Sequence, residues 1–173
     1  MAELTISGDT HPILKDDYAS EWMGIEVVAL DDGHATIRMT LRQEMLNGFG
    51  MAHGGMIFAF GDTAFALACN QTNPSPADEG NITVASGVDI NFLKPAFRGQ
   101  VLTAVANRRA STGRSGLYDI QIYAADPVAG TAPDTAPAGT ASAATVPGEL
   151  PTGILPGELV AEFRGRSRTI SKK

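Results

Sequence analysis

One run of the sequence, from Met56 to Cys69, is almost entirely apolar, and a single carboxylate, Asp62, lies in its middle. The run is too long for an ordinary strand and is rich in Ala, Phe, Met and Leu. It predicts a helix from Gly54 to about Asn70 that is buried on most sides, because apolar residues cover nearly its whole circumference. A carboxylate in such a helix must be paired, exposed to a cavity or chemically active.

The composition limits the classes of protein to be considered. The chain has 173 residues, of which 43% are hydrophobic and 18% charged, as expected for one soluble globular domain with a substantial core. The formal net charge is −6 and no basic block is present, which argues against nucleic acid as a partner. The N-terminus lacks the features of a signal peptide, and the apolar run is shorter than the about 20 residues that span a bilayer. We expect a cytoplasmic protein without a membrane partner.

Short elements are predicted before the buried helix. Residues 12–23 have the features of a helix that begins at Pro12 and ends at Gly24. Residues 25–41 predict a β-hairpin, because residues 31–33 read Asp-Asp-Gly and a strict alternation of apolar and polar residues follows. The apolar positions of the second strand are Ala35, Ile37, Met39 and Leu41.

Strands and one long loop are predicted after the helix. The strands cover residues 84–92, 101–111, 116–124 and 159–170. In the first of them, alternation places Val84, Ser86, Val88, Ile90 and Phe92 on one face. Residues 126–158 contain six of the ten prolines and no aromatic or basic residue, which predicts a flexible loop inserted between two neighbouring strands. The strand after this loop is expected at an edge of the sheet.

These elements predict one fold class. Successive strands without intervening helices indicate a mostly antiparallel sheet. The expected fold is α+β, with one antiparallel sheet wrapped around one long central helix. A single domain over residues 1–173 is predicted, with the insertion at about 126–158.

The predicted start of the buried helix, His53-Gly54-Gly55, has the features of an oxyanion site. The first N–H groups of a helix lack partners within it, glycine allows close approach, and the helix dipole adds partial positive charge. Asp62 lies eight residues beyond Gly54, too far to share a substrate atom with it in one chain. Two antiparallel copies of the helix would bring Gly54 of one chain opposite Asp62 of the other.

Residues 47–70, "NGFGMAHGGMIFAFGDTAFALACN", resemble the signature of the hotdog-fold acyl-CoA thioesterases, specifically the phenylacetyl-CoA (PaaI-type) group. The resemblance continues in "VDINFLKPAFRGQVLTA", "GLYDIQIY" and "FRGRSRTI", so it covers most of residues 12–125 and 159–170. It implies the hotdog fold, which agrees with the predicted architecture. It also implies a thioester hydrolase that converts an acyl-CoA to free acid and coenzyme A without metal or redox cofactor. Aryl-acetyl and hydroxyphenylacetyl groups are the candidate acyl groups.

The resemblance further implies an active site between two subunits. Subunits of this family pair so that their sheets join, as a homodimer or as a dimer of dimers, a homotetramer. Asp62 would then be the nucleophile or the general base, and Gly54 would donate the oxyanion N–H. His53 would line this hole or orient the substrate; its alternative role is to cap the helix. The family has an Asn-Asp pair on its first helix where this sequence has Asp16-Asp17, so an amide donor is replaced by an acceptor.

Further residues are candidates for substrate binding. Gly55 and Asn47 flank the start of the helix and are expected to border the site. The basic candidates for contact with the phosphates of coenzyme A are Lys94, Arg98, Arg114, Arg164, Arg166 and Arg168. The last three share one face of the final strand, and their alternative role is to keep a solvated edge strand from aggregating.

Other functions and sites are weighed against this hypothesis. No pair of His or Cys residues has metal-ligand spacing, so no metal site is predicted. Cys69, the only cysteine, has no His nearby in sequence and is assigned to core packing rather than to nucleophilic catalysis. A hydratase or dehydratase of the same fold would depend on His53 instead of Asp62. A non-catalytic acyl-CoA-binding module would bind the thioester without releasing thiol.

Overall fold

A computed structural model describes residues 8–76, 78, 80–127 and 157–171. In chain order the elements are a 3₁₀ turn (Pro12–Leu14), helix α1 (Tyr18–Met23), strands β1 (Glu26–Asp31) and β2 (His34–Thr40), a second 3₁₀ turn (Gln43–Met45), helix α2 (Gly54–Cys69), and strands β3 (Asn81–Phe92), β4 (Val101–Thr112), β5 (Ser115–Ala125) and β6 (Glu158–Ser171). The flexible loop predicted at 126–158 lies outside the described residues except at its two ends. No helix in these ranges is both long and apolar enough to cross a membrane.

The described strands form one antiparallel sheet in the order β1-β2-β4-β5-β6-β3, and α2 packs on one face of it. The apolar residues predicted on one face of β2 are all buried in this interface. β5 and β6, which flank the insertion, are paired neighbours as predicted. The predicted α+β architecture, an antiparallel sheet around one central helix, is confirmed.

Helix α2 is held close to the sheet by its large apolar side chains and by one glycine. Phe60 and Phe65 are fully buried between the helix and the sheet. A Cβ atom on Gly61 would lie 3.1 Å from Phe163 and 3.2 Å from Ile122, so glycine permits this close packing. The opposite face of α2 is only partly buried, and Phe58 lies at its margin, where its ring still contacts Phe163 of β6 with centroids 5.5 Å apart. This partly buried face carries Asp62.

The helix predicted over residues 12–23 is divided in two. The 3₁₀ turn begins at Pro12, and α1 begins only after Asp17, whose carboxylate accepts the Ser20 N–H at 3.1 Å. Asp16 has a left-handed backbone, with φ of 61°, and this interrupts the helix between the two parts. Gly24, with φ of 68°, ends α1 as predicted.

Strand β3 contains a β-bulge that the alternation did not predict. The pairing with β6 shifts between Ala85 and Gly87. Before the shift Val84 is opposite Arg168, on the outer face of the sheet, whereas after it Val88 and Ile90 pack against the core. The extra residue of a bulge reverses the side-chain alternation, so the predicted common face is wrong for Val84.

The position of β6 also differs from the prediction. β6 lies between β5 and β3, so the edges of the described sheet are β1 and β3. The chain returns from the insertion to pair with β5, and β3 then pairs with the free side of β6. β3, which packs beside α2, therefore keeps an unpaired edge in the described sheet.

Candidate active site

The start of α2 presents one backbone N–H group without an acceptor. His53 is the N-cap, and its Nδ1 atom accepts the Gly55 N–H at 2.9 Å. The His53 carbonyl accepts the N–H groups of Met56 and Ile57. The Gly54 N–H has no acceptor among the residues that the structure describes. Gly54 thus keeps the free donor expected of an oxyanion hole, whereas the Gly55 N–H is occupied.

The capping bond also sets the proton position of His53. When Nδ1 accepts a hydrogen bond, the neutral imidazole carries its proton on Nε2. The His53 side chain is exposed, so this Nε2–H is available as a donor beside Gly54. The capping role considered from the sequence is therefore present, and it leaves the other ring nitrogen free.

Asp62 lies two turns further along α2. Eight residues of helix separate it from Gly54 by about 12 Å along the axis. The carboxylate is half-buried, and within the described part of the chain it has neither a hydrogen bond nor an ion pair. Burial raises the pKa of the Asp62 carboxyl above its usual value. Next to it, the Thr63 and Ser20 hydroxyls are 3.3 Å apart and join α2 to α1.

Phe92 is a neighbour of this site that the sequence analysis did not single out. It is the last residue of β3, and its ring packs on the helix start, where a Cβ atom on Gly54 would lie only 3.2 Å from it. Its side chain is still 53% exposed. The sequence does place Phe92 at the end of a strand, on the same face as Val88 and Ile90. Nothing in the sequence, however, predicts a contact between Phe92 and Gly54.

Asn47 shapes the loop that leads into α2. Its Oδ1 atom accepts the N–H of Phe49 at 2.9 Å and that of Met51 at 3.3 Å. The side-chain nitrogen has no acceptor among the described residues. Asn47 therefore organises the turn before His53 and retains a donor that can face a substrate.

Two of the predicted basic residues lie at the same end of α2. Lys94 and Arg98 belong to the connection between β3 and β4, which forms a β-bridge from Phe97 to Met51 in the loop before α2. Lys94 is ion-paired with Glu158. Arg98 donates to Gln43 Oε1 at 3.3 Å. Both side chains are exposed enough to turn towards an anion.

Arg114 is at the other end of the helix. It lies in the turn between β4 and β5, where its Nε donates to the Thr169 carbonyl at 2.9 Å. With Cys69 and Asn70 it lines a cavity of about 550 Å³ beyond the end of α2. The 16 residues of α2 place this end about 24 Å from Gly54. Within one chain, the structure therefore does not bring Arg114 near the oxyanion donor.

The three arginines of β6 face away from α2. Arg164 pairs with Asp119 at 2.7 Å, and Arg166 pairs with Asp89 at 2.8 Å. They alternate with buried residues, so they lie on the outer face of the sheet. Because β6 is internal, the interpretation as a solvated edge strand is wrong.

Among the described residues, neither Cys69 nor a cluster of metal-ligating side chains provides a second catalytic site. Burial raises the pKa of the Cys69 thiol to about 12, which disfavours the thiolate that a nucleophile needs. In the parts of the chain that the structure describes, no three His, Cys, Asp or Glu side chains are grouped as they would be around a metal ion. Asp62 and the Gly54 N–H, neither of which has a hydrogen-bond partner among the described residues, are therefore the groups assigned to the candidate site.

Comparisons with known proteins show which family the chain is similar to. The sequence profile of the thioesterase superfamily matches residues 49–131. The chain is 40% identical to the acyl-coenzyme A thioesterase PaaI of Escherichia coli (strain K12) over 114 residues, which are 66% of this chain and 76% of that protein. The structure of the E. coli PaaI protein from the phenylacetic acid degradation operon superposes with a TM-score of 0.69 at 32% identity. This match covers 95% of this chain and 92% of the E. coli chain. The TT0310 protein from Thermus thermophilus has the same fold, with a TM-score of 0.62 at 24% identity. This match covers 88% of this chain and 97% of the Thermus chain.

Proposed function

The chain belongs to the PaaI-type acyl-CoA thioesterases of the thioesterase superfamily, and we propose that it hydrolyses aryl-acetyl thioesters of coenzyme A to the free acid and coenzyme A. The observation that carries this proposal is the pair of unsatisfied groups on α2. The Gly54 N–H lacks an acceptor and the half-buried Asp62 carboxylate lacks a donor among the described residues. The choice of acyl group is supported by the likeness to the E. coli protein of the phenylacetic acid degradation operon.

We further propose that each active site combines two chains. A reacting carbonyl has to lie within about 3 Å of both the oxyanion donor and the attacking or basic group. Gly54 and Asp62 of one chain are about 12 Å apart along α2, so neither chain alone meets this requirement. Two antiparallel α2 helices, with Gly54 of each opposite Asp62 of the other, do meet it. Their two-fold axis would pass Phe58, which is 36% exposed at the margin of the partly buried face of α2.

The edge strand β3 supports the same axis. Gly54 is level with Phe92, and Asn70 is level with Thr83, to which it makes two hydrogen bonds of 2.9 Å. Phe58, a quarter of the way along this stretch of α2, is therefore level with residues 89–90 of β3. The regular part of β3 after the bulge, residues 87–92, is centred on the same point. We infer antiparallel pairing of β3 with β3 of a second copy around residues 89–90.

The proposed chemistry needs only the Gly54 N–H, the Asp62 carboxylate and water. Ionised Asp62 either removes a proton from water as the water oxygen attacks the thioester carbonyl, or attacks the carbonyl itself to form a mixed anhydride. In both routes the carbonyl oxygen becomes an oxyanion that accepts the Gly54 N–H of the other chain. Collapse of this intermediate breaks the carbon–sulfur bond and releases the thiolate of coenzyme A. In the first route the proton held by Asp62 passes to this thiolate; in the second, water then hydrolyses the anhydride.

The two-chain arrangement also assigns the flanking residues. Lys94 and Arg98 lie near Gly54 of their own chain, and antiparallel packing would bring them to the side where the other chain carries Arg114. We propose these three as contacts for the phosphates of coenzyme A. His53, Gly55 and Asn47 would border the thioester. We also propose that the protein assembles as a dimer of dimers and is located in the cytoplasm. The chain is proposed to form a single domain with an insertion at 126–158.

Thiol release from a panel of acyl-CoA thioesters tests this function. Phenylacetyl-CoA and its hydroxylated derivatives should be hydrolysed with higher kcat/KM than linear acyl-CoAs of similar size. Hydration of an enoyl-CoA without release of thiol would indicate the hydratase alternative. Tight binding of acyl-CoA with no thiol released would indicate the binding module.

A further inference from the structure

Phe92 has an exposed aromatic ring at a position where the strand would normally bury it. It shares the core-facing side of β3 with Val88 and Ile90, and both of these pack against the core. The Phe92 side chain nevertheless remains 53% exposed. The exposed ring surface therefore borders the start of α2 instead of filling the interior.

The contact between Phe92 and Gly54 depends on the missing side chain of the glycine. The ring lies 3.2 Å from the position that a Cβ atom would occupy on Gly54, closer than most side chains tolerate. Since Cβ and the backbone nitrogen of one residue are about 2.5 Å apart, the ring lies within about 6 Å of the free Gly54 N–H. A carbonyl oxygen bound to that N–H would place its substituents beside the ring.

We propose that Phe92 is a specificity-determining residue that selects aromatic acyl groups by contact with the aryl ring of the substrate. This inference rests on the proposed function. In an aryl-acetyl thioester only one methylene separates the carbonyl carbon from the aryl ring, so the ring of a substrate held at Gly54 reaches the Phe92 ring. Two aromatic rings in offset or edge-to-face contact gain energy beyond their buried area. A linear acyl group of similar size lacks this gain.

The chain offers a matched control for this contact. Phe97 is exposed to a similar extent, 48%, and lies on the loop that bridges to Met51 before α2. Phe92 supplies all three of the atoms nearest to the Cβ position of Gly54. A change at Phe97 therefore alters exposed aromatic surface near the site without removing the proposed contact.

The experiment compares Phe92→Leu, Phe92→Tyr and Phe97→Leu with the unchanged protein. Thiol release gives kcat/KM for phenylacetyl-CoA and for hexanoyl-CoA, and size-exclusion chromatography checks the oligomeric state. Phe92→Leu should lower the phenylacetyl-to-hexanoyl ratio roughly three- to tenfold, whereas Phe92→Tyr and Phe97→Leu should keep it within about twofold. If the leucine variant does not fold, Phe92→Met, whose unbranched side chain adapts to the space left by the ring, provides the same comparison.

Two adverse results are distinguishable. An equal loss on both substrates, with the ratio unchanged, would overturn the inference and leave Phe92 as a packing residue or a contact for the coenzyme A arm. If the unchanged protein released thiol from neither substrate, the proposed function would fail, and the inference with it.

Discussion

Asp62 and Gly54 lie on the same helix, about 12 Å apart along its axis, and both keep an unsatisfied polar group in the described part of the chain. A half-buried carboxylate without a donor lowers stability, because its desolvation is not compensated. A free N–H at a helix start is also a cost if nothing binds there. The two costs have a common explanation if a thioester occupies both groups at the junction of two chains.

The first prediction concerns the carboxylate. Asp62→Asn keeps the size of the side chain but removes the base or nucleophile, so kcat for thiol release should fall roughly a hundredfold or more. The melting temperature should be unchanged or higher, because a neutral amide is cheaper to bury. Asp31→Asn, at the exposed end of β1, serves as the control and should keep full activity. A folded Asp62→Asn variant with the unchanged rate would refute the assignment.

The second prediction tests the two-chain site directly. Gly54→Val introduces a side chain against Phe92 and should inactivate the enzyme, as should Asp62→Asn. In a mixed dimer of these two variants, one site contains both defects and the other contains intact Gly54 and Asp62. A co-expressed equal mixture should therefore recover roughly a quarter of the sites, since half of the dimers are mixed. No recovery beyond the sum of the separate variants would indicate that both groups act within one chain.

Much of this site could be predicted from the sequence because its determinants are local. The apolar run from residue 56 to 69 indicates a buried helix, and the preceding His-Gly-Gly indicates where the helix begins. The observed helix begins at the predicted Gly54 and ends at Cys69, one residue before the predicted end. Asp62 stands out because no other charged residue interrupts that run. The relation between Gly54 and Asp62 follows from helical spacing alone.

The features that could not be predicted depend on contacts distant in sequence. The bulge in β3 is defined by pairing with β6, and the alternation around Ser86 gives no local sign of the extra residue. The internal position of β6 depends on which free strand edge β3 joins. The contact of Phe92 with Gly54 likewise exists only once β3 is packed beside the start of α2.

The third prediction concerns the pH dependence of hydrolysis. Burial raises the pKa of Asp62, and both proposed routes use the ionised form. Activity should be present above this raised pKa and lost as pH falls through it, at a pH higher than the about 3.9 of an ordinary aspartate. The measurement is kcat/KM against pH for the unchanged protein and for His53→Asn. The acid limb should persist in the variant; its disappearance would assign the limb to the histidine.

The fourth prediction concerns His11, which is 1% exposed and connects the N-terminal segment to the end of α2. Its Nδ1 accepts the Ile13 N–H at 3.2 Å and its Nε2 lies 3.0 Å from the Asn70 carbonyl, an arrangement that suits the neutral ring. Burial lowers the pKa of His11 in the folded protein. The stabilisation by the neutral ring is therefore present above the unfolded pKa of about 6.5 and is lost as pH falls below it, by at most about 1.4 kcal/mol per pH unit.

Denaturant unfolding between pH 7.5 and 5 measures this effect. The free energy of unfolding should fall with pH more steeply in the unchanged protein than in His11→Gln, which cannot gain the proton. Equal slopes for the unchanged protein and the His11 variant would show that other groups cause the pH dependence.

The fifth prediction concerns the packing of α2 on the sheet. A Cβ atom on Gly165 would lie 2.8 Å from the Phe65 ring, which is fully buried and also contacts the Tyr118 ring edge-on with centroids 5.3 Å apart. The ring cannot move aside without displacing other core side chains, so Gly165→Ala should lower the free energy of unfolding by about 1–3 kcal/mol. Gly48→Ala is the control, because no atom lies within 4 Å of its Cβ position, and its unfolding free energy should change little. Equal stability of the two variants would mean that the core rearranges freely around Phe65.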